Sequence, residues 1–105
     1  MVYKKFLLRM YKRSMRFPAE HRVFKERIQT ALFDQIRLFN DAAKSSQTGK
    51  IHIADSGVAT LQEFLQLAVS KELHIISPEE YRGLSRDLSE AGAMLGEWLK
   101  GRKNG

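Results

Sequence analysis

The sequence predicts an all-α fold, a single antiparallel up-down four-helix bundle. Three observations point to it. Apolar residues recur at helical spacing in four separate segments. The breaks between those segments are short, as they are between antiparallel neighbours. No run alternates long enough to build a sheet: Ile51-His52-Ile53 and Leu73-His74-Ile75-Ile76 are too brief. A chain of 105 residues suits one domain. At this size about 65% of the unfolded surface is buried, so the core is modest and self-association is expected to help it.

The first segment spans residues 2–16. With successive residues about 100° apart, Tyr3, Phe6, Leu7, Met10, Tyr11 and Phe17 fall on one side. Lys5, Arg9, Lys12, Arg13 and Arg16 crowd an arc of roughly 100° on the other, with Lys4 outside it. Pro18 ends the pattern and drives Phe17 out of helical geometry. The second segment runs over residues 20–45, with the stripe Phe24, Ile28, Ala31, Leu32, Ile36 and Phe39. Ser45 to Lys50 reads as a loop by composition. The third covers residues 53–74, with the stripe Val58, Leu61, Phe64, Leu65 and Ala68. Gly57 is expected to weaken its first turns by about 1 kcal/mol relative to alanine. The fourth covers residues 78–100. Ser77 caps it, Pro78 suits the first helical position and Glu80 completes a capping box. Tyr81, Leu84, Leu88, Ala91, Leu95 and Trp98 then form a coiled-coil-like seam. Ser85, Ser89, Gly92 and Gly96 make a second stripe of small residues, which invites close approach of a neighbouring helix.

Charge is distributed one-sidedly. The first forty residues hold ten of the eighteen Lys and Arg against Glu20, Glu26 and Asp34, a net +7; residues 41–105 carry eight bases and nine acids, a net −1. Such a face speaks about partners rather than fold, and its natural partner is a polyanion. Within its own helix the arc on segment one has no carboxylate to pair with. Like charges four apart, Lys5–Arg9 and Arg9–Arg13, cost a few tenths of a kcal/mol each, which calls for a compensating anion. The candidate nucleic-acid-binding residues are therefore Lys5, Arg9, Lys12, Arg13 and Arg16, extended by Arg22, Lys25, Arg27 and Arg37 on segment two. They would neutralise phosphates rather than read bases. No aromatic interrupts the arc, which argues against a base-stacking platform. Reversing Arg9, Lys12 and Arg13 to glutamate is expected to abolish binding and leave helicity intact. A peripheral membrane helix is the rival for segment one, but it would strip the other three stripes of a partner.

Catalysis is disfavoured and no cofactor is implied. There is no cysteine, hence no disulfide framework. Glu-x-x-His pairs, His-Glu-x-x-His and glycine-rich phosphate loops are all missing. His21, His52 and His74 are scattered near expected helix ends, and no serine has a suggestive base beside it. Glu79-Glu80 complements a helix dipole. Lys4, Lys5 and Arg9 interrupt any secretory apolar run, and no apolar stretch approaches about 18 residues. A cytoplasmic location and no membrane partner are expected.

Two stretches are familiar together. The first is Phe17-Pro18-Ala19-Glu20-His21-Arg22-Val23-Phe24-Lys25-Glu26-Arg27-Ile28-Gln29-Thr30-Ala31-Leu32. The second is Ile76-Ser77-Pro78-Glu79-Glu80-Tyr81, running on to Gly92-Ala93-Met94-Leu95-Gly96-Glu97-Trp98-Leu99-Lys100. In this order and at this spacing they resemble the four-helix bundle family that includes the accessory variability determinant (Avd) proteins of diversity-generating retroelements, relatives of the proteins encoded by intervening sequences of 23S ribosomal RNA genes. The resemblance covers nearly the whole chain. It implies a basic bundle assembled as a ring-like homopentamer, bound to a reverse transcriptase and to RNA and/or DNA. It implies no catalytic role of its own, but service in mutagenic retrohoming. The chain departs from the family where arginines often line the third helix, since Gln62 and Gln66 stand there. The alternative is a structural oligomerisation scaffold with no nucleic-acid role.

Overall fold

Four α-helices follow one another with no strand among the described residues, 2–103 of the chain in a computed structural model. They are α1 (Val2–Ser14), α2 (Arg22–Lys44), α3 (Thr48–Val69) and α4 (Pro78–Lys103), with one 3-10 turn at Ala19–His21. Helices α1 and α3 each pack on both α2 and α4. Side-chain bonds fix the directions. Tyr3 bonds to Leu32 while Ser14 bonds to Gln29, so α1 and α2 run oppositely. Gln35 meets Ala54 and Phe24 meets Phe64, so α2 and α3 do too. The result is elongated, 48 × 22 × 21 Å.

The apolar stripes face one another as their spacing requires. Tyr3, Phe6, Met10, Ile28, Leu32, Phe39, Leu61, Leu65, Leu84, Leu88 and Leu95 are buried in one cluster. Tyr81 and Trp98, the two ends of the α4 seam, are only partly buried against it. Tyr3 anchors the far end. Its ring lies 5.0 Å from that of Phe39, and its hydroxyl donates to the Leu32 carbonyl at 2.7 Å. Burial pushes the Tyr3 phenol well above its ordinary pKa, because the phenolate would lose hydration with nothing to replace it.

Several boundaries differ from the sequence expectation. Helix α1 stops at Ser14, so Arg16 sits in the following turn, where its N–H donates to the Arg13 carbonyl. Ser14 is wholly buried; its hydroxyl donates to Tyr11 and accepts from Gln29 on α2 at 3.0 Å. That local bond competes with the helix ladder. Helix α3 begins at Thr48, so Thr48, Gly49 and Lys50 are helical rather than loop. It ends at Val69 rather than near residue 74. The Ser70 hydroxyl takes the Leu73 N–H, and His74 adopts φ 47°, the left-handed conformation that reverses the chain. The N–H groups of Ile75 and Ile76 then both reach the Ala68 carbonyl, and both side chains bury. Covering two isoleucines outweighs one more helical turn. Helix α4 extends to Lys103, a turn beyond the expected residue 100.

The small-residue stripe on α4 partly faces α3. The Gln62 amide donates to the Ser85 carbonyl and the Ser89 hydroxyl, and accepts from the Ser85 hydroxyl at 2.9 Å. A Cβ on Gly92 would touch Val58 at 3.4 Å, whereas Gly96 is open.

Candidate nucleic-acid interface

The cationic arc of α1 is rotated toward α4 rather than straight into solvent. Arg13 and Arg9, one turn apart, each reach a carboxylate on α4. Arg13 is largely buried. Its Nη2 donates to the Ile75 carbonyl at 2.8 Å, its Nε donates to Glu80, and its guanidinium carbon lies 5.8 Å from the Phe17 ring centroid. One side chain thus holds the α1 end, the α3–α4 connection and the first turn of α4. Arg9 donates from Nη1 to Asp87 at 3.1 Å, and Lys5 Nζ approaches the other carboxylate oxygen at 3.5 Å. Asp87 is 2% exposed. Gly83 makes room for this: a Cβ there would lie 2.6 Å from an Arg9 guanidinium nitrogen.

Three of the five arc cations therefore have internal anions, Asp87 and Glu80 on the neighbouring helix. The like-charge cost of α1 is relieved within the fold as well as being available to an outside ligand. Lys12 and Arg16 are exposed, with no carboxylate within ion-pair distance among the described residues. Arg9, Lys12, Arg13 and Arg16 together line a recess of about 230 Å³ with Glu80 and Leu84. Four cations against Glu80, with Asp87 paired to Arg9, leave it net electropositive.

The second set of predicted cations does not form one extension of this recess. Lys25 and Arg22 stand one and two turns before Gln29, on the edge of α2 that bonds to α1. Arg27 lines an open groove toward α3 with Glu26, Asp34 and Phe64. Arg37 pairs with Asp41 at 3.2 Å in its own helix. Sequence reasoning missed Asp87, Gly83 and the second role of Glu80. The available signal was spacing. Glu80 and Asp87 lie seven apart, two turns, matching the four-residue steps of Lys5, Arg9 and Arg13 once α1 and α4 are known to be antiparallel.

Glu80 carries two jobs on two oxygens. Oε1 accepts the Ser77 N–H at 3.1 Å while the Ser77 hydroxyl accepts the Glu80 N–H at 3.1 Å, the reciprocal capping box expected from sequence. Oε2 accepts from Arg13. The Arg13 hydrogen bond above all, with Ser77 assisting, holds the Glu80 carboxyl below its ordinary pKa against the opposing effect of burial. A depressed carboxylate pKa adds stability that is present above the unfolded value, near pH 4.3, and lost as pH falls through the folded value. Melting temperature is therefore expected to drop on acidification below about pH 4.5, and Glu80→Gln should flatten that part of the profile. A profile identical to wild type would remove Glu80 from the acid response.

No group of His, Cys, Asp or Glu among the described residues is arranged to hold a metal ion. No helix among them is long and apolar enough to cross a membrane.

A family model described as bAvd-like matches residues 2–102, nearly the whole bundle just described. The chain belongs to the bAvd-like family. The family expectation from the Phe17–Leu32 and Ile76–Lys100 stretches is met, and the match joins them through helix α3. In this bAvd-like bundle the departure on the third helix also acquires a place. Gln62 is engaged with Ser85 and Ser89 of α4, while Gln66 is exposed. No curated protein matches the chain.

Proposed function

We propose that this bAvd-like bundle is a non-catalytic accessory protein that binds nucleic acid through its phosphates. Its partner would be the reverse transcriptase of a diversity-generating retroelement, and its setting mutagenic retrohoming in the cytoplasm. The observation that supports nucleic-acid binding is the recess lined by Arg9, Lys12, Arg13 and Arg16, of which Lys12 and Arg16 are exposed and have no internal carboxylate partner among the described residues. Its chemistry suits backbone phosphate rather than base edges. The polymerase partner and a ring-like homopentamer rest on the likeness to Avd proteins. In such a ring each subunit repeats the recess, so weak phosphate contacts add through effective concentration.

Lys12→Glu with Arg16→Glu tests the binding reading. Neither residue is in the internal pairs, so the helical spectrum and melting temperature should be unchanged. Affinity for a labelled RNA or DNA oligonucleotide should fall about tenfold at moderate salt, and the salt dependence of binding should become shallower. Unchanged affinity would sink the assignment. Reversal of Arg9, Lys12 and Arg13 to glutamate perturbs the fold as well as binding, because it sets new carboxylates against Asp87 and Glu80. A second reading, an oligomerisation scaffold, is favoured by the internal pairing of Lys5, Arg9 and Arg13. It expects no salt-dependent binding at any ionic strength.

A further inference from the structure

The recess contains its own anion. Glu80 lies among Arg9, Lys12, Arg13 and Arg16, the only carboxylate lining it among the described residues. Its Oε2 takes the Arg13 Nε–H, a contact that a phosphate oxygen would otherwise make. The same carboxylate is tethered through Oε1 to the Ser77 N–H, so it is held in place rather than free to swing away. Arg13 is fixed from a third side by the Ile75 carbonyl. A negative charge is thus seated beside Lys12 and Arg16, the two lining cations that have no carboxylate within ion-pair distance among the described residues.

We propose that Glu80 is a built-in competitor that weakens this recess for nucleic-acid phosphate. A backbone phosphate is recruited by Lys12 and Arg16, and meets the Glu80 carboxylate where Arg13 would have added a donor. The ligand class is a phosphodiester of RNA or DNA, and the inference rests on the nucleic-acid reading above. The physical consequence is moderation. Each subunit keeps a low affinity, and stable binding requires several recesses acting together.

Glu80→Gln is the deciding variant. Glutamine keeps an oxygen for the Ser77 N–H and removes the charge. Glu79→Gln is its control: it removes an equal charge from the adjacent, exposed position that does not line the recess. Oligonucleotide affinity is measured by fluorescence anisotropy across a salt series on the full chain, with thermal melts to confirm folding. Glu80→Gln is expected to bind about threefold to tenfold more tightly at low salt, with the slope of log K against log salt steeper by about one. Glu79→Gln should change affinity much less. Glu80→Gln binding no more tightly than wild type overturns the proposal, as does an equal gain in both variants, which would be bulk electrostatics. Should Glu80→Gln fold poorly, Glu80→Asp provides the second measurement. It keeps the charge but shortens the side chain by one methylene and withdraws the carboxylate from Arg13 Nε, so affinity should rise above wild type; affinity no higher than wild type overturns the proposal. If Lys12→Glu with Arg16→Glu weakens binding while Glu80→Gln does not strengthen it, the nucleic-acid reading survives and this inference does not. If wild type binds no oligonucleotide, both fall.

Discussion

Arg9→Ala is expected to destabilise the fold by about 3 kcal/mol, because it leaves a buried carboxylate without its main partner. Asp87 sits on α4 at 2% exposure, and Arg9 is its hydrogen-bonded counter-ion at 3.1 Å. Lys5 approaches at 3.5 Å from a well-exposed position, and Asp87 Oδ1 has no hydrogen-bond partner among the described residues. Lys5 alone therefore screens the charge weakly. For a domain near this size the loss corresponds to a fall of roughly 12–20 °C in melting temperature. Lys12→Ala, an exposed cation in the same arc, should move it hardly at all. Equal melting temperatures for the two variants would show that the Arg9–Asp87 pair contributes nothing. Replacing both partners by apolar residues, as in Arg9→Met with Asp87→Leu, should recover most of the loss.

Gly57→Ala is expected to destabilise by about 2 kcal/mol, the opposite sign to helix propensity. In an isolated helix alanine would gain about 1 kcal/mol over glycine. Here a Cβ would lie 1.8 Å from Gln35 Oε1, 2.8 Å from its Cδ and 3.1 Å from a Leu38 methyl. Gln35 cannot step aside cheaply. It is 1% exposed, and its amide donates to the Ala54 carbonyl at 2.8 Å across the α2–α3 contact. Displacing it breaks a buried hydrogen bond, worth about 1–3 kcal/mol when a polar group is left unpaired. A double-mutant cycle decides the cause. In a Gln35→Ala background only the 3.1 Å approach to the Leu38 methyl remains, and Gly57→Ala should then be neutral or stabilising. If the penalty persists there, Gln35 is not its origin.

Much of the architecture was legible before any coordinates. The α4 start was read down to its atoms, because Ser77, Pro78 and Glu80 make a local signal whose partners are three residues apart. The stripes of α1, α2 and α4 gave the core, because burial follows helical period. Helix α3 was harder. It has a Gln47 N-cap with no side-chain bond and a C-terminus set by Ile75 and Ile76 folding back over Ala68. Neither feature has the fixed residue types and spacing of a capping box. The candidate site was half legible. The cationic arc was evident, but Lys5, Arg9 and Arg13 find anions more than sixty residues away along the chain.

By itself the sequence determined four helices, their apolar faces, the α4 cap, the concentration of positive charge in the first forty residues and the family likeness. These rest on interactions within a few turns, where period and capping chemistry suffice. Only the tertiary structure decided which cations are left for a ligand. Antiparallel packing of α1 on α4 brings Asp87 and Glu80 under Arg9 and Arg13, and leaves Lys12 and Arg16 outside. It also turned Gly57 from a weak point of a helix into the space that Gln35 fills. Both outcomes depend on contacts between helices, which no single-helix pattern encodes.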